Sequence, residues 1–202
     1  MKAQTIRKEL RTAANLVTIS RILLLLPLAL AAQVESTFFR AVLVAMVPII
    51  FYLDSLDGYL ARTYNCSTKL GSVLDVAGDR IVENVLWLLL AYARVIPVWI
   101  PVIILARAFI TDAFRSVAVA KGYSIYEMMT NKMEYWLVAS PASRSSYAVF
   151  KAIVFTLGMA IWTFQLQAHS NLIFVFQIFL SITVAHCLLR GYATIKACVK
   201  RI

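Results

Sequence analysis

The sequence predicts an all-α integral membrane protein: six transmembrane helices preceded by a short N-terminal interfacial helix. Three observations carry this. Hydrophobic residues make up 61% of the 202 positions and charged residues only 15%, with a mean hydropathy of +0.79, which is a membrane composition. Apolar runs of about 20 residues, enough to cross a hydrocarbon core, recur along the chain. Lysine and arginine gather on alternate connections between those runs.

The opening stretch, "MKAQTIRKELRT", sets Ile6 and Leu10 four apart among Lys2, Arg7, Lys8 and Arg11. That pattern suits a short helix on anionic lipid and equally a basic tail. Residues 1–14 are read as this juxtamembrane segment and residues 15–202 as one membrane domain. The spans are expected at residues 15–32, 38–61, 71–93, 97–120, 145–165 and 172–189. Arg62 and Lys69 fall between the second and third. Lys121, Lys132, Arg144 and Lys151 lie in or beside the connection from the fourth to the fifth. Arg190, Lys196, Lys200 and Arg201 follow the sixth, and the other side offers Arg40 and Arg94. An even helix count with this bias puts both termini on the cytoplasmic face. No cleavage pattern marks the first run as a signal peptide. Cys66, Cys187 and Cys198 are odd in number, lack metal-ligand spacing and read as free thiols. The net charge of +10 fits topology and anionic lipid or phosphate ligands rather than nucleic acid.

In so apolar a chain, four of the ten acidic residues fall within "DSLDGYLARTYNCSTKLGSVLDVAGD", residues 54–79. Asp54 and Asp57 are three apart at the cytoplasmic end of the second helix. Asp75 and Asp79 are four apart near the start of the third. Residues at these spacings share a helix face, so two helices joined by a short turn each present a carboxylate pair. Four ionised carboxylates at headgroup depth repel one another and resist desolvation. Arg62 and Arg80 can offset part of this charge, and one or two divalent cations can offset more. Oxygen donors without His or Cys point to Mg²⁺, Mn²⁺ or Ca²⁺ rather than Zn²⁺. Gly58, Ala61, Gly71 and Ser72 are small, which serves either close helix packing or the approach of a flat ligand.

The pattern Asp54-x-x-Asp57-Gly58-x-x-Ala61-Arg62, then eight residues, then Gly71-x-x-x-Asp75-x-x-x-Asp79 resembles the signature of the CDP-alcohol phosphatidyltransferase family at every fixed position. The resemblance implies transfer of a phosphatidyl group from CDP-diacylglycerol to an alcohol, with release of CMP. It implies that Asp54, Asp57, Asp75 and Asp79 hold two metals, Mg²⁺ or Mn²⁺, and that Asp79 is also the general base. Gly58, Ala61 and Gly71, with Arg62 and Ser72 beside them, would line the donor nucleotide site. By analogy with the family, the protein would form a homodimer.

A second basic set bears on the acceptor. Arg107 and Arg115 lie eight apart on one face of the fourth helix, and intramembrane arginines mark functional sites or buried pairs. Asp112 can pair with either. Lys132, Arg144 and Lys151 add to a phosphate-binding patch or are ordinary cytoplasmic-side charges. "NLVTISRILLLLP" and "ARAFITDAFRSVAVAKG" resemble segments of family members that make phosphatidylglycerophosphate. Arg80 after the last motif aspartate is instead similar to inositol-type members, and the later Gly-Lys-x-Lys-Thr segment of the first group is absent. A phosphorylated polyol is therefore expected, glycerol 3-phosphate ahead of inositol phosphate, with free inositol or serine as alternatives. A cation transporter also places carboxylates on facing helices, but it gives no reason for the small residues or for carboxylates at helix ends. An aspartyl protease needs two aspartates, not four in metal-like pairs. A non-catalytic lipid-binding protein needs no base at Asp79.

Overall fold

The computed structural model describes residues 13–63, 69–122, 129 and 131–200. For residues 13–18, 31, 54–63, 69–72, 74 and 75 it describes the backbone alone. The described residues form an all-α protein of seven α-helices: α1 (Ala13–Ala31), α2 (Thr37–Thr63), α3 (Lys69–Tyr92), α4 (Trp99–Ala120), α5 (Lys132–Ala139), α6 (Pro141–Thr163) and α7 (Ser170–Val199). A 3₁₀ turn, Leu166–Ala168, joins the last two. The N-terminal amphipathic segment expected at residues 1–14 lies outside the described residues except for the first two positions of α1, and Cys66 lies outside them too.

Two compact units divide the chain. The first comprises residues 1–95 and 158–166. Here α1 packs against both α2 and α3. Its buried stripe is Arg21, Leu25, Leu28 and Ala32, and α2 answers with Leu43, Val47 and Ile50. Steps of three and four residues are those of one helix face. From α3 come Val82, Leu86, Leu90 and the fully buried Trp87.

The turn after α3 has a glycine-type geometry without the glycine. The Arg94 N–H donates to Ala91 O at 3.0 Å and the Val95 N–H to Leu90 O at 3.0 Å, the two bonds of a Schellman cap. Arg94 takes the left-handed backbone at φ 56°, a conformation costly for any side chain.

The second unit comprises residues 96–157 and 167–202, and in it α4 and α5 each pack on α7. α4 and α7 run parallel: Arg107 lies beside Gly191, and Ala118 clusters with Ala197 and Cys198. Small residues let the two backbones approach. The buried hydroxyls are satisfied locally: Thr111, Thr183 and Thr194 donate to Arg107 O, Phe179 O and Arg190 O, four residues back, at 2.7, 2.7 and 2.8 Å. Such back-bonding keeps a hydroxyl paired where no water is at hand.

Large apolar side chains also face outward, among them Leu23, Leu26 and Leu30 of α1 and Phe109 of α4. Two helices, Pro141–Thr163 and Ser170–Val199, are long and apolar enough to cross a membrane, and Ile19–Leu30 and Thr37–Leu53 are shorter apolar stretches. The charges of Asp79, Arg80 and Glu83 interrupt α3, and those of Arg107, Asp112 and Arg115 interrupt α4.

Two boundaries differ from expectation. α7 continues ten residues past residue 189, because Gly191, Ala193, Thr194, Ala197 and Cys198 are buried there and packing extends the helix beyond its first charge. α6 starts at Pro141, not 145, and is preceded by α5, a helix in the stretch expected to be a connection. Ser140 caps α6, its Oγ accepting from Ser143 N at 3.1 Å, with Pro141 in the favoured first position. Asn131 caps α5 in the same way, accepting from Met133 N at 3.2 Å.

Candidate active site

The eight motif residues divide between two helices of the first unit. Asp54, Asp57, Gly58, Ala61 and Arg62 occupy the last turns of α2, and Gly71, Asp75 and Asp79 the first turns of α3. Ser72 follows Gly71 on α3. Asp54 and Asp57 share one face of α2, and Asp75 and Asp79 one face of α3, by helical register. Side chains are described for Asp79 but not for Asp54, Asp57 or Asp75. Among the described residues no group of three or more metal-binding side chains occurs. The donor set itself, carboxylates at i, i+3 and i, i+4 with no His or Cys, suits hard divalent cations.

Asp79 has a partner that the sequence reading did not assign. Arg21 Nη2 donates to Asp79 Oδ1 at 3.1 Å, from α1 to α3. Arg21 is 2% exposed, whereas the Asp79 side chain is 49% exposed. A buried guanidinium needs a counter-charge, and an arginine set in an apolar helix is the signal that points to one. The pairing fixes one oxygen of Asp79 while half the side chain stays open. Arg80, on the opposite side of Asp79 in sequence, is half-buried.

The second unit sorts the five basic residues expected to bind the acceptor. Arg107 and Arg144 lie near enough to Arg190 of α7 to repel it electrostatically. Lys151 Nζ sits 4.6 Å from the Tyr147 ring centroid and the Arg190 guanidinium carbon 5.5 Å from the same ring, so one aromatic ring lies within reach of two cations. Arg115 lies two turns further along α4, beside Cys198. Lys132 opens α5 and is exposed. The structure thus gathers Arg107, Arg144 and Lys151 around Arg190 and Tyr147 and leaves Arg115 and Lys132 elsewhere in the unit.

Arg190, expected from the sequence to be a topology charge, has a structural role as well. It caps the C-terminus of α5, donating from Nη2 to Val138 O at 3.3 Å and from Nη1 to Ser143 Oγ at 3.3 Å. A guanidinium has five N–H donors, so a cap of this kind leaves donors over. Arg107 crosses Gly191: a Cβ there would collide with Arg107 Nε and lie 2.8 Å from Cγ. Arg107 Nε is buried with no hydrogen-bond partner. Among the described residues, none of Arg107, Arg144 and Arg190 has a carboxylate within ion-pair distance. Lys196 differs, because its Nζ lies 3.0 Å from Glu134 Oε1. Clustered arginines without carboxylates make a site for an anion, and their planar forks match phosphate.

The chain matches the CDP-alcohol phosphatidyltransferase family over residues 11–189, and it belongs to that family. It is therefore a transferase of phospholipid biosynthesis, from a family of membrane enzymes. It is 25% identical over 187 residues to a CDP-diacylglycerol–glycerol-3-phosphate 3-phosphatidyltransferase of Rickettsia felis, covering 92% of this chain and 94% of that protein. A protein of the same name from Aquifex aeolicus is 36% identical over 67 residues, 33% of this chain and 36% of its own length. A human cardiolipin synthase (CMP-forming) is 42% identical over 55 residues, 27% of this chain and 18% of its own length.

Proposed function

We propose that this enzyme transfers the phosphatidyl group of CDP-diacylglycerol to a free hydroxyl of glycerol 3-phosphate and releases CMP at the cytoplasmic face of a six-span membrane domain. The observation that carries the acceptor assignment is the gathering of Arg107 and Arg144 about Arg190, a positive cluster that a phosphate relieves. The rickettsial relative, similar along nearly its full length, bears a name that specifies the same acceptor. Free inositol and serine have no phosphate to offer such a cluster, and inositol phosphate is the second reading for the same reason.

Asp54, Asp57, Asp75 and Asp79 would hold two divalent cations, Mg²⁺ or Mn²⁺, which when bound neutralise the donor's diphosphate. Gly58, Ala61 and Gly71 leave room for the cytidine nucleotide, with Arg62 and Ser72 beside it. Arg21 holds Asp79 by Oδ1 and so orients the general base. Asp79 takes the proton of the acceptor hydroxyl as its oxygen bonds to the phosphatidyl phosphorus and the bond to CMP breaks. Arg107, Arg144 and Arg190, with Lys151, hold the acceptor's own phosphate. Arg115 and Lys132, expected from the sequence to join them, lie outside the Arg190 cluster and are assigned no contact to the phosphate.

The test is CMP release by the purified protein from CDP-diacylglycerol and glycerol 3-phosphate, with the product lipid identified by mass. Phosphatidylglycerophosphate is expected. No CMP release with any phosphorylated polyol would sink the proposal.

A further inference from the structure

Ser143 is 1% exposed, and its hydroxyl uses every bond it can make. Its Oγ–H donates to Leu137 O at 2.6 Å. That commits the single proton, so the remaining contacts must be accepted: from Arg190 Nη1 at 3.3 Å and from His186 Nε2 at 3.1 Å. A serine hydroxyl has one donor and two acceptor sites, and all three are filled. The pattern assigns the proton of His186 to Nε2. His186 lies one turn before Arg190 on α7, and its ring stands edge-on to Tyr147 at 5.2 Å between centroids. Tyr147 is also the ring that faces Arg190 and Lys151.

These contacts hold the Arg190 guanidinium from one side, through Ser143 Oγ and Val138 O. We infer that Ser143 and His186 are positioning residues for acceptor binding: His186 orients the Ser143 hydroxyl, and Ser143 with Val138 O sets the plane in which Arg190 offers its remaining donors to a phosphate. The inference rests on the reading of Arg190 as an acceptor ligand. Its chemistry is that of a second layer: a bidentate contact depends on the plane of the fork, and a side chain with many rotamers keeps one plane only if something holds it.

The experiment measures KM for glycerol 3-phosphate, KM for CDP-diacylglycerol and thermal stability in detergent for the native enzyme and four variants: Ser143→Ala, His186→Leu, His186→Gln and Arg190→Ala. Ser143→Ala and His186→Leu should raise the acceptor KM by about three- to tenfold, the range for loss of one hydrogen bond, with the donor KM unchanged. His186→Gln, whose amide N–H falls near the position of Nε2, should restore the native acceptor KM. Arg190→Ala should raise it most. If Arg190→Ala raises the acceptor KM and both Ser143→Ala and His186→Leu leave it unchanged, the positioning role is overturned while the clamp stands. If Arg190→Ala leaves it unchanged, the clamp falls and the positioning role with it. Equal losses in both KM values that follow the loss of thermal stability would also overturn the proposal, because that is what a purely structural network gives. Should Ser143→Ala fail to fold, the contrast between His186→Leu and His186→Gln decides.

Discussion

Arg21 bears a full charge on a side chain that is 2% exposed, and Asp79 Oδ1 at 3.1 Å answers it. A pairing of this kind costs desolvation on the buried side and is kept where orientation matters. Arg21→Leu should therefore lower kcat by about tenfold or more, the cost of one charged hydrogen bond, with a smaller effect on the acceptor KM. Steady-state CMP release checks this, and native turnover would detach Arg21 from the site. Asp79→Asn should abolish turnover while leaving donor binding largely intact. Near-native turnover in that variant would remove Asp79 from the role of base. The motif aspartates were legible in the sequence because their types and spacing state their chemistry. Arg21 was not, because its partner lies 58 positions away and only packing of α1 on α3 brings them together. Arg190 was hidden for a different reason. It follows a long apolar run among other basic residues, where a charge reads as topology, and its cap on α5 and its contact with Tyr147 come from tertiary packing that the sequence does not display.

At the scale of elements, two glycine effects can be measured. Gly191 lets Arg107 cross α7. Gly191→Ala should push the Arg107 side chain aside and raise the acceptor KM by about three- to tenfold, as for one lost hydrogen bond. An unchanged acceptor KM would show that Arg107 has no place in the clamp. Arg94 presents the opposite case, a side chain where a glycine is favoured. With φ at 56°, Arg94→Gly should stabilise the protein by about 0.5–1 kcal/mol, the relief of a left-handed backbone less the added freedom of the unfolded chain. Thermal unfolding in detergent measures it, and destabilisation would contradict the cap. The helices themselves were legible from apolar runs, with first and last residues within a few positions for α1 to α4. α5 was not, because eight residues give too little periodicity, although Asn131 and the Ser140-Pro141 pair were visible capping signals. The extension of α7 was missed because hydropathy ends at the first charge, whereas helix geometry ends where packing against α4 ends.

For the whole molecule the governing fact is that apolar side chains face both inward and outward, as a lipid solvent requires. The proposed six crossings with both termini cytoplasmic rest on the placement of Lys and Arg, and the parallel course of α4 and α7 is compatible with them. A thiol reagent that does not cross membranes should label native Cys66 from the cytoplasmic side, and labelling only from outside would invert the topology. Chelation by EDTA should abolish turnover, with recovery on adding Mg²⁺ or Mn²⁺, and full activity in chelator would end the metal reading. The central claim is that one group of side chains manages the donor's phosphates and a separate arginine group the acceptor's phosphate. Its most direct test is the ratio of kcat/KM for glycerol 3-phosphate to that for glycerol, with CDP-diacylglycerol as donor. Two or more charged hydrogen bonds to the acceptor phosphate predict a ratio of about 100 or higher. A ratio near one, or faster turnover with free serine or inositol, would contradict it.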